Sequence, residues 1–234
     1  MILNRLIAGL LLALPVAASA QGVFDMGALT NTLSMDANTQ SERARAQRQG
    51  KPDPLAKSPA ARPDTRFTPS PAVRKRVFAT IVAKTRAVDP KAADELQKMF
   101  AARDPIAGIE RDLAPMGLRT NDALDATTTY LTTAWFATRG RDDTPSRAQI
   151  NGVRNQLARS IGPTIAASSP AAKQELSDVM FVQAMLVAQS ATAAKATPAL
   201  REKVAAATAQ GARATFGFDL RKMSLTAAGL RPLG

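Results

Sequence analysis

The chain has 234 residues, 45% apolar but only 4% aromatic, and carries 31 Lys plus Arg against 19 Asp plus Glu, a formal net charge of +12. Its core must therefore be built from Ala, Leu, Val, Ile and Met. Cysteine and histidine are both absent, which excludes disulfides, thiolate nucleophiles, imidazole bases and any zinc, copper or haem site that needs those ligands.

The first twenty residues open with Arg5, run apolar from Leu6 to Leu14, break at Pro15 and end in Ala18-Ser19-Ala20. That order predicts a secretory signal peptide over 1–20, cleaved after Ala20, because the apolar run is too short to cross a bilayer. The expected location is periplasmic or secreted, with no membrane span after cleavage. A positive surface there meets lipid head groups, wall polymers and anionic sugars before it meets nucleic acid. With no ladder of aromatics for base stacking, nucleic acid is not an expected partner.

Residues 21–69 hold Pro52, Pro54, Pro59, Pro63 and Pro69 among polar and basic residues, the composition of a mostly disordered leader. Leu29, Leu33 and Ala37 fall at i, i+4 and i+8, allowing a short helix across Gly27–Arg48 that is too weakly apolar to persist alone.

From Ser70 onward one signal repeats: a side-chain oxygen residue followed by proline, in Ser70-Pro71, Asp89-Pro90, Asp104-Pro105, Thr144-Pro145, Ser169-Pro170 and Thr197-Pro198. The first residue can accept from an unpaired amide of a first helical turn, and proline suits the next position because its missing N–H has no partner there. A further start lies at Thr120 or Asn121, and Gly117, Gly140, Gly162 and Gly217 stand where left-handed stops are wanted. Helices are expected over 71–88, 90–102, 105–114, 121–139, 145–161, 170–195 and 198–216, with 218–234 as a C-terminal tail and no strands. The buried stripes are Val73, Val77, Ile81, Thr85 and Val88 in the first helix, and Leu124, Leu131 and Trp135 in the fourth. Ile150, Val153, Leu157 and Ile161 line the fifth, and Leu200, Val204, Ala207, Gly211, Ala214 and Phe218 the last. Gly211 and the alanines of that last stripe should let a neighbouring backbone approach.

The sixth helix is apolar on every side, with Val179 to Val182 consecutive and Met185, Leu186 and Val187 one turn on. Such a helix must be surrounded by others. The expected fold is all-α: a single bundle of about seven helices, spanning 70–217 around this long central helix.

Candidate sites are few. Paired carboxylates can hydrolyse glycans without histidine, and Glu110 or Glu175 as acid with Asp112, Asp122 or Asp125 as partner are the residues that could do so. Glu110 and Asp112 flank Arg111, however, in what reads as a solvated face. Asp142 and Asp143, with Asp104 or Asp219, lack the spacing of a calcium loop. No catalytic residue, metal ligand or cofactor is assigned. Arg74, Lys75 and Arg76 form the tightest cationic group and are the candidate for an anionic partner, placed early in a helix where the dipole disfavours them. Thr127, Thr128, Thr129, Thr132 and Thr133 crowd Tyr130 and Trp135. Either Tyr130 and Trp135 wall a pocket, or the hydroxyls bond back to the preceding turn while the rings fill the core.

Phe67-Thr68-Pro69-Ser70-Pro71 and Gly117-Leu118-Arg119-Thr120-Asn121-Asp122, running on to Tyr130, Ala134-Trp135 and Arg139-Gly140, resemble an uncharacterised family of exported bacterial proteins known only as a domain of unknown function. The resemblance covers roughly 67–217 and implies an exported helical domain, with no activity or site residues. The functional expectation is a non-enzymatic envelope protein that binds a macromolecular partner or an anionic envelope component. The alternatives are a carboxylate-dependent cell-wall glycan hydrolase and a carrier of a small apolar ligand near Trp135.

Overall fold

The structure, a computed structural model, describes residues 63–233 and, ahead of them, Gln49. The signal segment, most of the leader and the helix expected over Gly27–Arg48 lie outside the described residues. The helices are α1 (Pro71–Arg86), α2 (Pro90–Ala102), α3 (Pro105–Leu113), α4 (Ala123–Ala137), α5 (Arg147–Ser160), α6 (Gly162–Ala167), α7 (Pro170–Ala194) and α8 (Pro198–Phe216), followed by a hairpin of β1 (Met223–Thr226) and β2 (Gly229–Pro232). The fold is all-α apart from that hairpin, and α7 is its central post, packing on α4, α8, α1 and α3. Leu176, Met180 and Phe181 of α7 are fully buried, as are Leu124 and Leu131 of α4, Ile150 and Leu157 of α5, and Phe216 of α8. No described helix is long and apolar enough to cross a membrane.

Cap chemistry sets most of the starts. Ser70, Asp89, Asp104 and Ser169 each accept a hydrogen bond from a first-turn amide, with proline behind them. Thr144-Pro145 starts nothing: α5 begins later, capped by Ser146, whose hydroxyl and the Gln149 side chain form a reciprocal capping box. Two such bonds outweigh the one that Thr144 could accept. Thr197 precedes α8 without a side-chain cap bond, and Asp122, rather than Thr120 or Asn121, caps α4.

Gly117, Gly140 and Gly217 are left-handed stops, with φ of 76°, 64° and 78°. Gly162 is not a stop. It opens α6, and a Cβ there would lie 2.6 Å from Cγ of Pro63, so its role is to admit the incoming leader. The close approach expected at Gly211 is also absent, since a Cβ there would meet nothing within 4 Å. Val204 and Ala207 of the expected stripe are buried, but the buried side then turns through Thr208, Ala212, Thr215 and Phe216 rather than Gly211, Ala214 and Phe218. Val88 is 59% exposed because α1 ends at Arg86.

The chain end corrects the expected strand-free tail. Leu225 pairs with Leu230 across the hairpin and both are buried. Each strand has four residues, too few to display a readable alternation. A Cβ on Gly152 of α5 would lie 2.5 Å from both the Ala227 carbonyl and the Gly229 amide, so this glycine lets the hairpin turn rest on helix backbone.

Candidate functional site

The densest polar construction in the described residues is a latch that sews residues 64–70 to the N-terminal ends of α4 and α7. Arg66 and Asp122 form an antiparallel bridge, with Phe67 N donating to Asn121 O and Ala123 N to Thr65 O, both at 3.1 Å. The Thr65 hydroxyl donates to Asp122 Oδ1 at 2.6 Å, and Lys173 Nζ donates to Asp64 O at 2.9 Å. Gln174 completes the seam by accepting from Ser70 N at 2.7 Å and donating to Ser70 O at 2.9 Å. Thr65 and Phe67 are buried, so packed structure begins before the Ser70-Pro71 cap.

Beneath the latch lies Arg154 of α5. Its guanidinium bonds Asp125 Oδ1 through Nε and reaches Asp122 Oδ2 through Nη2 at 3.2 Å. Asp122 is 2% exposed and Asp125 0%. Two carboxylates share one guanidinium, so one negative charge is in excess. Asp122 is further stabilised by the Thr65 hydroxyl and the Leu124 and Asp125 amides, whereas Asp125 gains only the Arg119 amide. Burial, then the neighbouring Asp122 charge, push the Asp125 carboxyl above its ordinary range.

Arg74 repeats the arrangement between α1, α3 and α7. Its Nε and Nη2 lie 3.3 and 3.2 Å from the two carboxylate oxygens of Asp178, and its Nη1 lies 2.6 Å from Asp104 Oδ2. Asp104 caps α3 as Asp122 caps α4. Each internal arginine thus ties a cap aspartate to a second carboxylate buried in a helix. Burial raises the Asp178 carboxyl in spite of its partner.

A third construction holds the chain end. Arg139 lies 3.8 Å above the centre of the Trp135 ring and donates to the carbonyls of Trp135, Leu220 and Met223, while Trp135 Nε1 donates to the Met223 carbonyl at 2.8 Å. Gln156 donates to Leu230 O at 3.0 Å and accepts from Leu230 N at 2.9 Å, and Gln149 reaches Leu225 O at 3.3 Å. Strand edges that could otherwise pair with another chain are occupied here by side chains of α4 and α5.

The cationic triplet is divided. Arg74 is turned into the domain, Arg76 reaches Glu175 at 2.6 Å on the surface, and Lys75 is exposed. Of the two readings of the threonine cluster, back-bonding is the one observed: Thr127, Thr128, Thr129 and Thr132 each donate to the carbonyl four residues earlier at 2.8 or 2.9 Å. Tyr130 is 3% exposed and stacks on Phe216 at 5.7 Å. The edge of Trp135 meets Phe136 at 5.0 Å while Arg139 covers its face. Tyr130 and Trp135 are thus packed against Phe216, Phe136 and Arg139.

Among the candidate acids, Glu110 and Asp112 are exposed. Glu175 is paired with Arg76, and Asp122 and Asp125 are sealed under the latch. Asp142 and Asp143 pair with Lys195 and Arg141, and among the described residues no three acidic side chains are grouped to hold a metal ion.

Fold and seams together define an all-helical domain closed by a C-terminal hairpin, with internal arginines committed to packing. The chain belongs to DUF6683, a family of unknown function, whose profile matches residues 6–232. That span is wider than the resemblance at 67–217 and takes in the leader and the hairpin. No curated protein and no solved structure matches the chain.

Proposed function

We propose that the protein is an exported, non-enzymatic helical protein of the cell envelope that binds an anionic envelope component. One observation carries this reading. The most buried acids, Asp122, Asp125 and Asp178, are committed to internal arginines, while Lys75 is exposed and Arg76, paired with Glu175, lies at the surface of a chain with a net charge of +12. A carboxylate held in a buried ion pair is a poor general acid for a polymer substrate that cannot reach it. A surface surplus of positive charge attracts anionic polymers and head groups at long range.

The test is cosedimentation of residues 21–234 with vesicles containing phosphatidylglycerol, against vesicles of phosphatidylcholine alone, across a salt series. Binding confined to the anionic vesicles, weakened by salt and by the Lys75→Gln/Arg76→Gln pair, is the expected result. Equal partition to both vesicle types refutes the reading, and clearing of a peptidoglycan suspension would replace it with the glycan hydrolase.

A further inference from the structure

The latch over residues 64–70 hangs on two charge clusters that are built alike. At α4 the Thr65 hydroxyl donates to Asp122, and Asp122 shares the Arg154 guanidinium with Asp125. At α7 the link runs through Gln174, which holds Ser70 by its amide and its carbonyl and donates to Asp178 Oδ2 at 3.2 Å. Asp178 in turn shares Arg74 with Asp104. The latch is thus bonded, directly or through one side-chain amide, to a carboxylate of each cluster.

Each cluster sets two carboxylates against one guanidinium. The groups facing Asp125 are Asp122, Arg154 and the Arg119 amide. Those facing Asp178 are Arg74 of α1, Asp104 ahead of α3, and Gln174. The other charges at the seam are engaged elsewhere: Lys173 donates to the Asp64 carbonyl, Asp64 pairs with Arg66, and Glu175 pairs with Arg76 at the surface. With every carboxyl ionised, one negative charge in each cluster has no partner. Asp125 and Asp178 are both 0% exposed, so water does little to screen it. The Asp104 side chain is 38% exposed, which leaves the second cluster partly open and makes Asp125 the more confined group. A proton on Asp125 or Asp178 cancels the excess and leaves each arginine to the cap aspartate.

Burial raises both carboxyls above their ordinary range. Lifting the latch admits water to the clusters and returns these groups toward ordinary values, so the closed state binds protons more tightly than the open one. Linkage then fixes the sign. The advantage of the closed state is full below the open-state value, about 4 for an ordinary aspartate, and is lost as pH rises through the raised closed-state value. The latch is also slight enough to open by itself: it has one isolated bridge, between Arg66 and Asp122, and only Thr65 and Phe67 of residues 64–70 are buried.

We propose that residues 64–70 are a proton-linked strap, closed on α4 and α7 in acid and increasingly open toward neutral pH, when the two clusters carry their full negative charge. Opening exposes Thr65 and Phe67 and releases the chain ahead of them from the ends of α4 and α7. This does not rest on envelope binding and is read without any vesicle.

Amide exchange in the 21–234 chain, followed by NMR and corrected for the intrinsic pH dependence of exchange, tests the strap. The reporters are the amides of Phe67 and Ala123, bonded across the bridge, and of Ser70 on Gln174, with the amide of buried Phe181 in α7 as reference. The strap amides should be less protected than the reference at every pH. Their protection should fall about threefold or more from pH 4.5 to pH 7, since each pKa unit gained on closing is worth a factor of about ten. Asp125→Asn, which removes the charge and keeps the shape, should abolish most of that fall, and adding Asp178→Asn the rest. The profile of the unsubstituted chain decides by itself if a variant fails to fold. Strap protection that is constant or rises with pH, that equals the α7 reference, or that falls as steeply in the double variant would overturn the proposal.

Discussion

Replacing Arg154 by Met removes the guanidinium shared by Asp122 and Asp125 while keeping a long apolar stem. Both carboxylates are then left in the interior, at 2% and 0% exposure. Removing one partner of a buried ion pair costs about 3–5 kcal/mol, because the charge left behind is not compensated. The Thr65 and backbone donors to Asp122 remain, which places the loss toward the lower figure. For a domain of this size each kcal/mol moves Tm by about 2–4 °C, so a loss near 3 kcal/mol should melt the variant about 6–12 °C below the parent at pH 7. The sign of the pH dependence follows from the same geometry. Without Arg154 the folded-state pKa of the Asp125 carboxyl rises further, so the penalty is full at neutral pH and shrinks as that group protonates on acidification. Calorimetry and urea titration at pH 7 and pH 4.5 measure both effects, and Asp125→Asn in the same chain should restore part of the loss. A loss below about 1 kcal/mol at pH 7, less than even the cost of one unsatisfied buried polar group, or one that does not change with pH, would refute the claim that Arg154 neutralises buried charge.

Other expectations are independent of that seam. Gly152→Ala places a methyl 2.5 Å from hairpin backbone. The shift should cost about 1–3 kcal/mol and redden the emission of Trp135, the single tryptophan, by loosening its bond to Met223. Gln156→Leu orphans the amide and carbonyl of buried Leu230, and urea denaturation should show a loss of about 1–3 kcal/mol for each group left unpaired. Asp125→Asn in the parent background tests the raised carboxyl. The native state holds that proton to higher pH than the unfolded chain, so the parent loses stability from this group as pH rises from the unfolded value toward the folded one. The parent's stability relative to the variant should therefore fall between pH 4 and pH 7, and an increase would contradict the burial argument.

Legibility in the sequence follows the range of the interactions. Ser70, Asp89, Asp104 and Ser169 bond to amides two or three residues ahead, so a local pattern reveals them, and the apolar faces of α1 and α5 follow from periodicity alone. The apolar circumference of α7 likewise announces a helix enclosed by others. Arg154 and Arg74 carry no comparable mark. Their partners lie 29 to 104 residues away, and each sits among other arginines with the same local context. Gln174 and Gln156 replace missing backbone partners, a role no spacing rule encodes. The hairpin escapes because its strands are short and depend on α5 for burial. Gly152 and Gly162, like Gly108 and Gly211, have no left-handed conformation; what sets the first two apart is the backbone or proline that approaches them, which no local pattern reveals. The motif stretches at 67–71 and 117–122 meet at the latch, so what these residues share is the attachment of the leader to α4 and α7.

The envelope reading depends first on the chain leaving the cytosol. Mass spectrometry of the protein's N-terminus, recovered from separated envelope and cytosolic fractions of the cells that make it, tests this most directly. A chain starting at Gln21 in the envelope fraction is the predicted result. An intact chain starting at Met1 and confined to the cytosol would contradict it.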